Sequence, residues 1–192
     1  KKINTDIELD THSTFINVNT ILSSFYNNKL DFKSSFPLDI FNLLLENKNF
    51  ILNTLSKIDL SFISRDEFQL THIDLHPHNV LISKSNDVCF IDIDSLMLGS
   101  LKKSIGFMIY KMGRQFYIYN AKKNNICRLF LQKLNLKDED SIVSDLRSAT
   151  CLEILRRISI IIECNMLKQD TRWNSMLGIQ INALHEIPFI FN

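Results

Sequence analysis

Glycine is scarce in this chain: Gly99, Gly106, Gly113 and Gly178 are all that 192 residues contain. No G-x-G-x-x-G loop can be assembled from them, so a glycine-rich phosphate cradle is absent. Proline is scarcer, with Pro37, Pro77 and Pro188. Each reads as punctuation: Pro37 opens a helix, Pro77 holds a loop, and Pro188 lies beyond the last helix. The four cysteines, Cys89, Cys127, Cys151 and Cys164, form no C-x-x-C pair. They read as reduced, partly buried thiols of a cytoplasmic protein. The net charge is only +1, so neither nucleic acid nor an anionic membrane is an expected partner. The pairs Lys102-Lys103 and Lys122-Lys123 read as solvated charges. No long uncharged apolar run suggests a membrane span. Ile158 to Ile162 is the greasiest stretch, but Arg156, Arg157 and Glu163 bracket it, as in a buried helix. No signal peptide opens the chain, and Lys1 in place of Met fits a piece of a longer protein.

What is present is 45% hydrophobic and 22% charged. That composition suits one globular domain over residues 1–192 with a sizeable core. Residues 1–13 read as an irregular lead-in. Phe15, Val18, Ile21, Leu22 and Phe25 recur at helical spacing and predict a helix from Ser13 or Thr14 to about Tyr26. Pro37 introduces a second helix, Leu38 to about Ser56, with Phe41, Leu44, Leu45, Ile51, Leu52 and Leu55 on its apolar stripe. Residues 57–68 read as a connector with room for a short helical turn, and Gln69 to Thr71 as a short strand. After Asp94 the pattern is helical: Ser104 to about Tyr119, Asn124 to Leu134, Ile142 to about Lys168 with a break near Ser148, and Trp173 to Glu186. The acidic run Asp138-Glu139-Asp140 suits a helix N-terminus. Gly106 and Gly113, seven residues apart, predict a side of the first of these helices that packs closely. The expected fold class is α+β, mostly helical, with one small β-hairpin.

That hairpin lies in the stretch with the most chemistry, Thr71 to Ser95. His72, Asp74, His76 and Asn79 fall on a loop, since Pro77 forbids a regular helix or central strand there. Val80-Leu81-Ile82 and Val88-Cys89-Phe90-Ile91 read as two strands, joined by a turn at Ser85-Asn86-Asp87. The chain then passes through Asp92-Ile93-Asp94. In an extended strand Asp92 and Asp94 would point the same way. Hairpin closure would bring Asp92 near Asn79. An Asn carbonyl and an Asp carboxylate are hard oxygen ligands that suit Mg²⁺, which keeps several waters and binds substrate phosphates. Asp94 joins them as a candidate metal ligand. Asp74, on the same loop as Asn79, is placed to take a proton from a substrate hydroxyl. His72 stands beside it as a catalytic or loop-fixing histidine, and His76 as either site or scaffold.

His72-Ile73-Asp74 with Asn79 keeps the spacing of the protein-kinase pattern H-R-D-x-x-x-x-N. The stretch more closely resembles the aminoglycoside phosphotransferase and choline kinase family of small-molecule kinases. Their loop reads H-G-D-L-H-P-x-N and their hairpin ends I-D-F-D. Here the corresponding residues are His72-Ile73-Asp74-Leu75-His76-Pro77-His78-Asn79 and Ile91-Asp92-Ile93-Asp94. Ile73 replaces the usual Gly and His78 the usual small residue. Neither carries the chemistry.

The resemblance implies the C-terminal lobe of a kinase-like fold: leading helices over 1–70, catalytic loop and metal-binding hairpin over 71–95, and a helical substrate-side subdomain over 96–192. It implies phosphoryl transfer from ATP, or another nucleoside triphosphate, to a hydroxyl of a small molecule such as an aminoglycoside, choline, homoserine or a sugar. Asp74 would be the base, and Asn79 and Asp92 would hold Mg²⁺ and the nucleotide. Relatives often open the first post-hairpin helix with an Asp, where Ser104 stands here. Glu163, Asp170, Trp173 and Glu186 are possible pocket residues, though each is more commonly surface or core. No strand Lys or phosphate-covering loop is found, so the nucleotide lobe is expected from elsewhere in a larger protein. Two other classes compete. One is a kinase-like module that binds without catalysing. The other is a zinc hydrolase built on His72, Asp74 and His76, which leaves Asn79 and the hairpin unexplained.

Overall fold

Apolar side chains at helical spacing form the first helix as expected. Helix α1 runs Thr11–Asn27 and buries Val18, Ile21, Leu22 and Phe25. The computed structural model of the chain describes residues 11–65, 68–72, 74–120, 126–133 and 140–191. Among these, contacts group Asp59–Thr150 and the tail from Ile187 into one compact unit. His12–Ile58 and Cys151–Glu186 form a second. The chain is mostly helical with two small antiparallel sheets, an α+β fold.

The second unit contains most of α1, then α2 (Lys29–Phe32), α3 (Leu38–Glu46) and α4 (Lys48–Ser56). The sequence predicts one helix over Leu38–Ser56, but it is split at Asn47. The Asn47 amide Nδ2 donates to the Leu43 carbonyl at 2.9 Å, where the backbone N–H of Asn47 also points. That local side-chain bond competes with continuous helix. Phe25 packs against Phe36 and Phe41 with ring centroids 5.1 and 6.1 Å apart.

The unit carrying Thr71–Ser95 contains β1 (Phe68–His72), β2 (Val80–Ile82), β3 (Val88–Phe90), β4 (Leu96–Ser100), α5 (Leu101–Asn120) and α6 (Ile126–Lys133). It also holds the first half of α7 (Asp140–Met166). The expected break near Ser148 does not occur: α7 runs unbroken through it, and Ser148 Oγ accepts a bond from the Asp59 backbone N–H at 3.3 Å. Helix α5 packs closely on α7 at Gly106. A Cβ there would meet Thr150 Oγ1 and lie 2.7 Å from the Leu146 carbonyl oxygen. The fully buried positions of α5 include Lys103, Gly106, Phe107 and Tyr110. Of the apolar positions Ile105, Met108, Ile109 and Met112, Ile109 is buried and the other three are half-buried. Lys102 Nζ and Asp145 Oδ2, 2.6 Å apart, add an ion pair between the two helices.

Helix α8 (Leu177–Ile190) follows a 3₁₀ turn at Arg172–Met176 and crosses Pro188 instead of stopping before it. Pro188 sits in the last turn, so the helix forgoes one backbone bond there and resumes with Phe191 N donating to Ile187 O at 3.0 Å. Among the described residues no helix is long and apolar enough to cross a membrane.

Candidate functional site

The stretch Thr71–Ser95 is an excursion closed at its base by a ladder. Strand β1 pairs antiparallel with β4, and His72 lies opposite Leu96. The sequence-based expectation missed β4 (Leu96–Ser100), having assigned no element between Asp94 and a helix starting at Ser104. Inside the excursion, β2 and β3 form the expected hairpin, with Val80 opposite Phe90 and Ile82 opposite Val88. The turn lies one to two residues earlier than its Ser-Asn-Asp signal suggests. Ser83 Oγ accepts from the N–H groups of Ser85 and Asp87 at 3.1 and 3.0 Å. Asn86 adopts a left-handed conformation, φ 66°, which Asn tolerates better than most residues. Asp87 accepts hydrogen bonds from Ser85 and Ser83, which hold its carboxyl below the usual range.

Asn79 is the hub. It is buried at the end of a 3₁₀ turn, Pro77–Asn79, that Pro77 starts. Its Nδ2 donates to the Asp74 carbonyl oxygen at 3.0 Å, and its backbone N–H donates to His76 O at 2.8 Å. Its own carbonyl accepts from Ile91 N at 3.0 Å, one step beyond the β2–β3 ladder. One residue thus ties the Asp74 loop to the segment that enters Asp92. With Nδ2 committed, the amide Oδ1 remains as an acceptor.

A second tie comes from His72. Its Nε2 lies 3.0 Å from the Ile91 carbonyl oxygen, and its Nδ1 is buried without a hydrogen-bond partner among the described residues. A carbonyl oxygen only accepts, so Nε2–H is the donor in this contact.

Asp92 and Asp94 require a correction. The sequence predicts an extended Asp92-Ile93-Asp94 with both carboxylates on one face. Strand β3 ends at Phe90, Asp92 is left-handed at φ 60° and ψ 47°, and Ile93–Ser95 form a 3₁₀ turn. The physical reason is closure. The chain must reverse within a few residues so that Leu96 can pair with His72. Strand alternation therefore ends before Asp92 and no longer relates the two acids. A left-handed non-glycine residue costs about 1 kcal/mol, and such strain concentrates at functional positions. Both aspartates are exposed.

Asp74 and His76 face each other, with Asp74 Oδ2 3.6 Å from His76 Nε2. His76 Nδ1 accepts from His78 N at 3.3 Å, and the two imidazoles meet edge to face at 5.4 Å. Burial pushes the His76 pKa below the ordinary histidine value. Asp74 opposes that shift, and Lys111, His78 and His72 add to it.

Beyond this pair lies a recess of about 220 Å³ lined by His76, Pro77, His78, Lys111, Arg114 and Gln115. Sequence reasoning missed it. The only local signals were His78, dismissed as a departure from a small residue, and the Lys111-x-x-Arg114-Gln115 spacing on α5.

The structure thus joins Asp74, Asn79 and the approach to Asp92 through hydrogen bonds. Among the described residues, it gathers no group of three His, Cys, Asp or Glu side chains able to hold a metal. His72, one supposed zinc ligand, has its Nε2 engaged by Ile91 O. Of the possible pocket residues, Glu163, Asp170, Trp173 and Glu186 fall in the other unit, where Asp170 is hydrogen-bonded to Arg172 at 2.7 Å. Ser104 Oγ is buried without a hydrogen-bond partner among the described residues. The hairpin is apolar yet exposed: Leu81, Ile82, Val88 and Phe90 all face solvent, and Ile93 beside them is 67% exposed. Compared with protein-family models, curated proteins and solved structures, the chain matches none.

Proposed function

We propose that the chain is the site-bearing lobe of an ATP- and Mg²⁺-dependent phosphotransferase of the aminoglycoside phosphotransferase and choline kinase type, acting on a hydroxyl of a small molecule in the cytoplasm. The observation that carries this reading is the set of bonds at Asn79. They join the loop of Asp74 to the turn of Asp92, the three residues whose type and spacing suggested the activity.

Asp74 orients and deprotonates the acceptor hydroxyl. Its backbone carbonyl is gripped by Asn79, so its carboxylate is held on a fixed loop. Asn79 Oδ1 and the Asp92 carboxylate are oxygen donors that fit Mg²⁺, which needs few protein ligands when phosphates and water supply the rest. Asp94, in the next turn, is a further candidate. When bound, the ion would neutralise charge on the nucleotide phosphates. His72 acts as a positioning residue through Ile91. The nucleotide triphosphate needs a second lobe to cover it, and the exposed apolar hairpin is a surface such a lobe would dry.

That same hairpin favours a second reading, a kinase-like module that binds a partner without catalysing, since exposed apolar surface of this kind often marks an interaction site. Phosphoryl transfer from ATP by the full-length protein, assayed against hydroxylated amino acids, sugars, amino alcohols and aminoglycosides, separates the two. Folded full-length protein that binds no Mg²⁺-nucleotide and phosphorylates nothing in that panel rejects the enzyme.

A further inference from the structure

We infer that the recess between the Pro77–Asn79 turn and α5 holds an anionic group, carboxylate or phosphate, of the acceptor whose hydroxyl faces Asp74. The assignment of the group to an acceptor rests on the phosphotransferase reading. The anion site itself rests on the recess.

The lining carries charge of one sign. Lys111 and Arg114 are basic, His76 and His78 bring imidazole nitrogens, Gln115 is an amide, Pro77 is apolar, and no carboxylate is among them, the nearest named one being Asp74, 3.6 Å from His76 Nε2. This is not a general property of the chain, whose net charge is +1. Lys111 and Arg114 stand three residues apart, so they share one face of α5. Lys111 Nζ also lies 5.2 Å from the Phe107 ring centroid, a contact that steadies the ammonium. The planar Arg fork matches the oxygens of a carboxylate or phosphate. The volume of about 220 Å³ has room for roughly seven waters at about 30 Å³ each. That admits one charged group with a few carbons.

The recess adjoins the base. His76 lines it and lies 3.6 Å from Asp74 Oδ2. A small molecule with its anionic group in the recess would therefore present a nearby hydroxyl to Asp74 across the His76 ring. Choline or an aminoglycoside would instead set positive charge against Lys111 and Arg114, which disfavours them. The class indicated is a small hydroxy acid or a phosphorylated polyol.

The test begins with inorganic phosphate titrated into the 192-residue chain by calorimetry. Wild-type protein is expected to bind it. Lys111→Gln and Arg114→Gln are each expected to weaken it about tenfold, as for loss of one charge-assisted hydrogen bond. Lys111→Arg should restore most of the affinity. If Arg114→Gln does not fold, the Lys111→Gln and Lys111→Arg pair carries the comparison. Binding unchanged in Lys111→Gln overturns the site.

A second arm repeats the titration on the full-length protein with saturating Mg²⁺-ATP. Phosphate that still binds supports an acceptor subsite, whereas competitive displacement gives the recess to the nucleotide and overturns the acceptor assignment. The third arm uses the full-length protein with glycerate, glycerol phosphate and choline. Transfer to the first two, impaired by Lys111→Gln through KM more than kcat, is the expected result. Transfer to choline alone, indifferent to Lys111→Gln, leaves the phosphotransferase standing and removes the anion site. Phosphate binding lost in Lys111→Gln without any transfer keeps the anion site and removes the phosphotransferase.

Discussion

His72 Nε2 reaches the carbonyl oxygen of Ile91 at 3.0 Å, and so pins the end of β1 to the residue that precedes Asp92. The bond spans the base of the excursion just inside the His72–Leu96 pair. His72→Leu should lower stability by about 1 kcal/mol, the net worth of one such bond. It should also loosen the Asp92 turn. His72→Gln keeps a donor and should recover part of both losses. Denaturant unfolding and Mg²⁺-dependent nucleotide affinity are the two readouts. Equal behaviour of the Leu and Gln variants would show that the bond does not position the turn.

Asn79→Asp is a sharper test of the hub. The change removes the Nδ2 donor to Asp74 O and puts a carboxylate in a buried position. Losing a buried partner and leaving the Asp74 carbonyl unsatisfied costs about 1–3 kcal/mol. The backbone bond from Ile91 N to Asn79 O is indifferent to the side chain, so the hairpin should persist in amide-exchange measurements while the 74–79 loop loses protection. Uniform loss of protection across both would refute this division.

These two residues also mark what the sequence could and could not reveal. The nearness of Asn79 to the Asp92 segment was legible, because apolar runs flanking Ser85-Asn86-Asp87 predict a closed hairpin. The reversal at Asp92 was not. I-D-I-D alternates like a strand, and only the pairing of His72 with Leu96, a contact remote in sequence, forces the chain to turn. Helices α1 and α7 were legible from spacing. The split at Asn47 was not, since it depends on a side chain choosing the Leu43 carbonyl. The recess was invisible because its halves, His76–His78 and Lys111–Gln115, meet only in the folded unit.

Gly106 tests the helix packing that supports the recess. In Gly106→Ala the new methyl would meet Thr150 Oγ1 and sit 2.7 Å from the Leu146 carbonyl. Thr150 can rotate, but a backbone oxygen cannot, so overpacking should cost about 1–3 kcal/mol. Adding Thr150→Ala should relieve only part of the loss. A Gly106→Ala protein as stable as wild type in thermal melts would contradict the close α5–α7 approach.

His76 predicts a pH dependence. Burial, helped by Lys111, His78 and His72 and opposed by Asp74, depresses its folded-state pKa. The unfolded chain therefore binds that proton more readily, and protonation favours unfolding. Its contribution should fall as pH drops through the ordinary histidine value of about 6.5. It should level off once folded His76 is also protonated. His76→Gln should flatten this part of the stability profile between about pH 7.5 and 5. An unchanged slope in the variant would assign the dependence to other groups.

Asp74 and Asp92 should fail in different ways. Asn79 holds Asp74 through its backbone carbonyl, so Asp74→Asn can exchange the carboxylate for an amide without releasing the loop. Under the phosphotransferase proposal it removes the proton acceptor, and general-base catalysis of this kind contributes about 10²–10⁴-fold. In full-length protein, turnover should fall by that order while Mg²⁺-nucleotide affinity stays nearly constant. Asp92 occupies a left-handed position, a conformation that glycine adopts without a Cβ clash. Asp92→Gly should relieve strain and raise stability by about 1 kcal/mol, yet weaken Mg²⁺-dependent nucleotide binding and turnover together. Residues 1–192 alone should transfer phosphate poorly, because orienting donor and acceptor is worth roughly 7–11 kcal/mol and their sequence offers neither a strand Lys nor a glycine-rich phosphate loop. Full transfer by these residues alone would remove the need for a second lobe. Full turnover in Asp74→Asn would remove Asp74 from the mechanism.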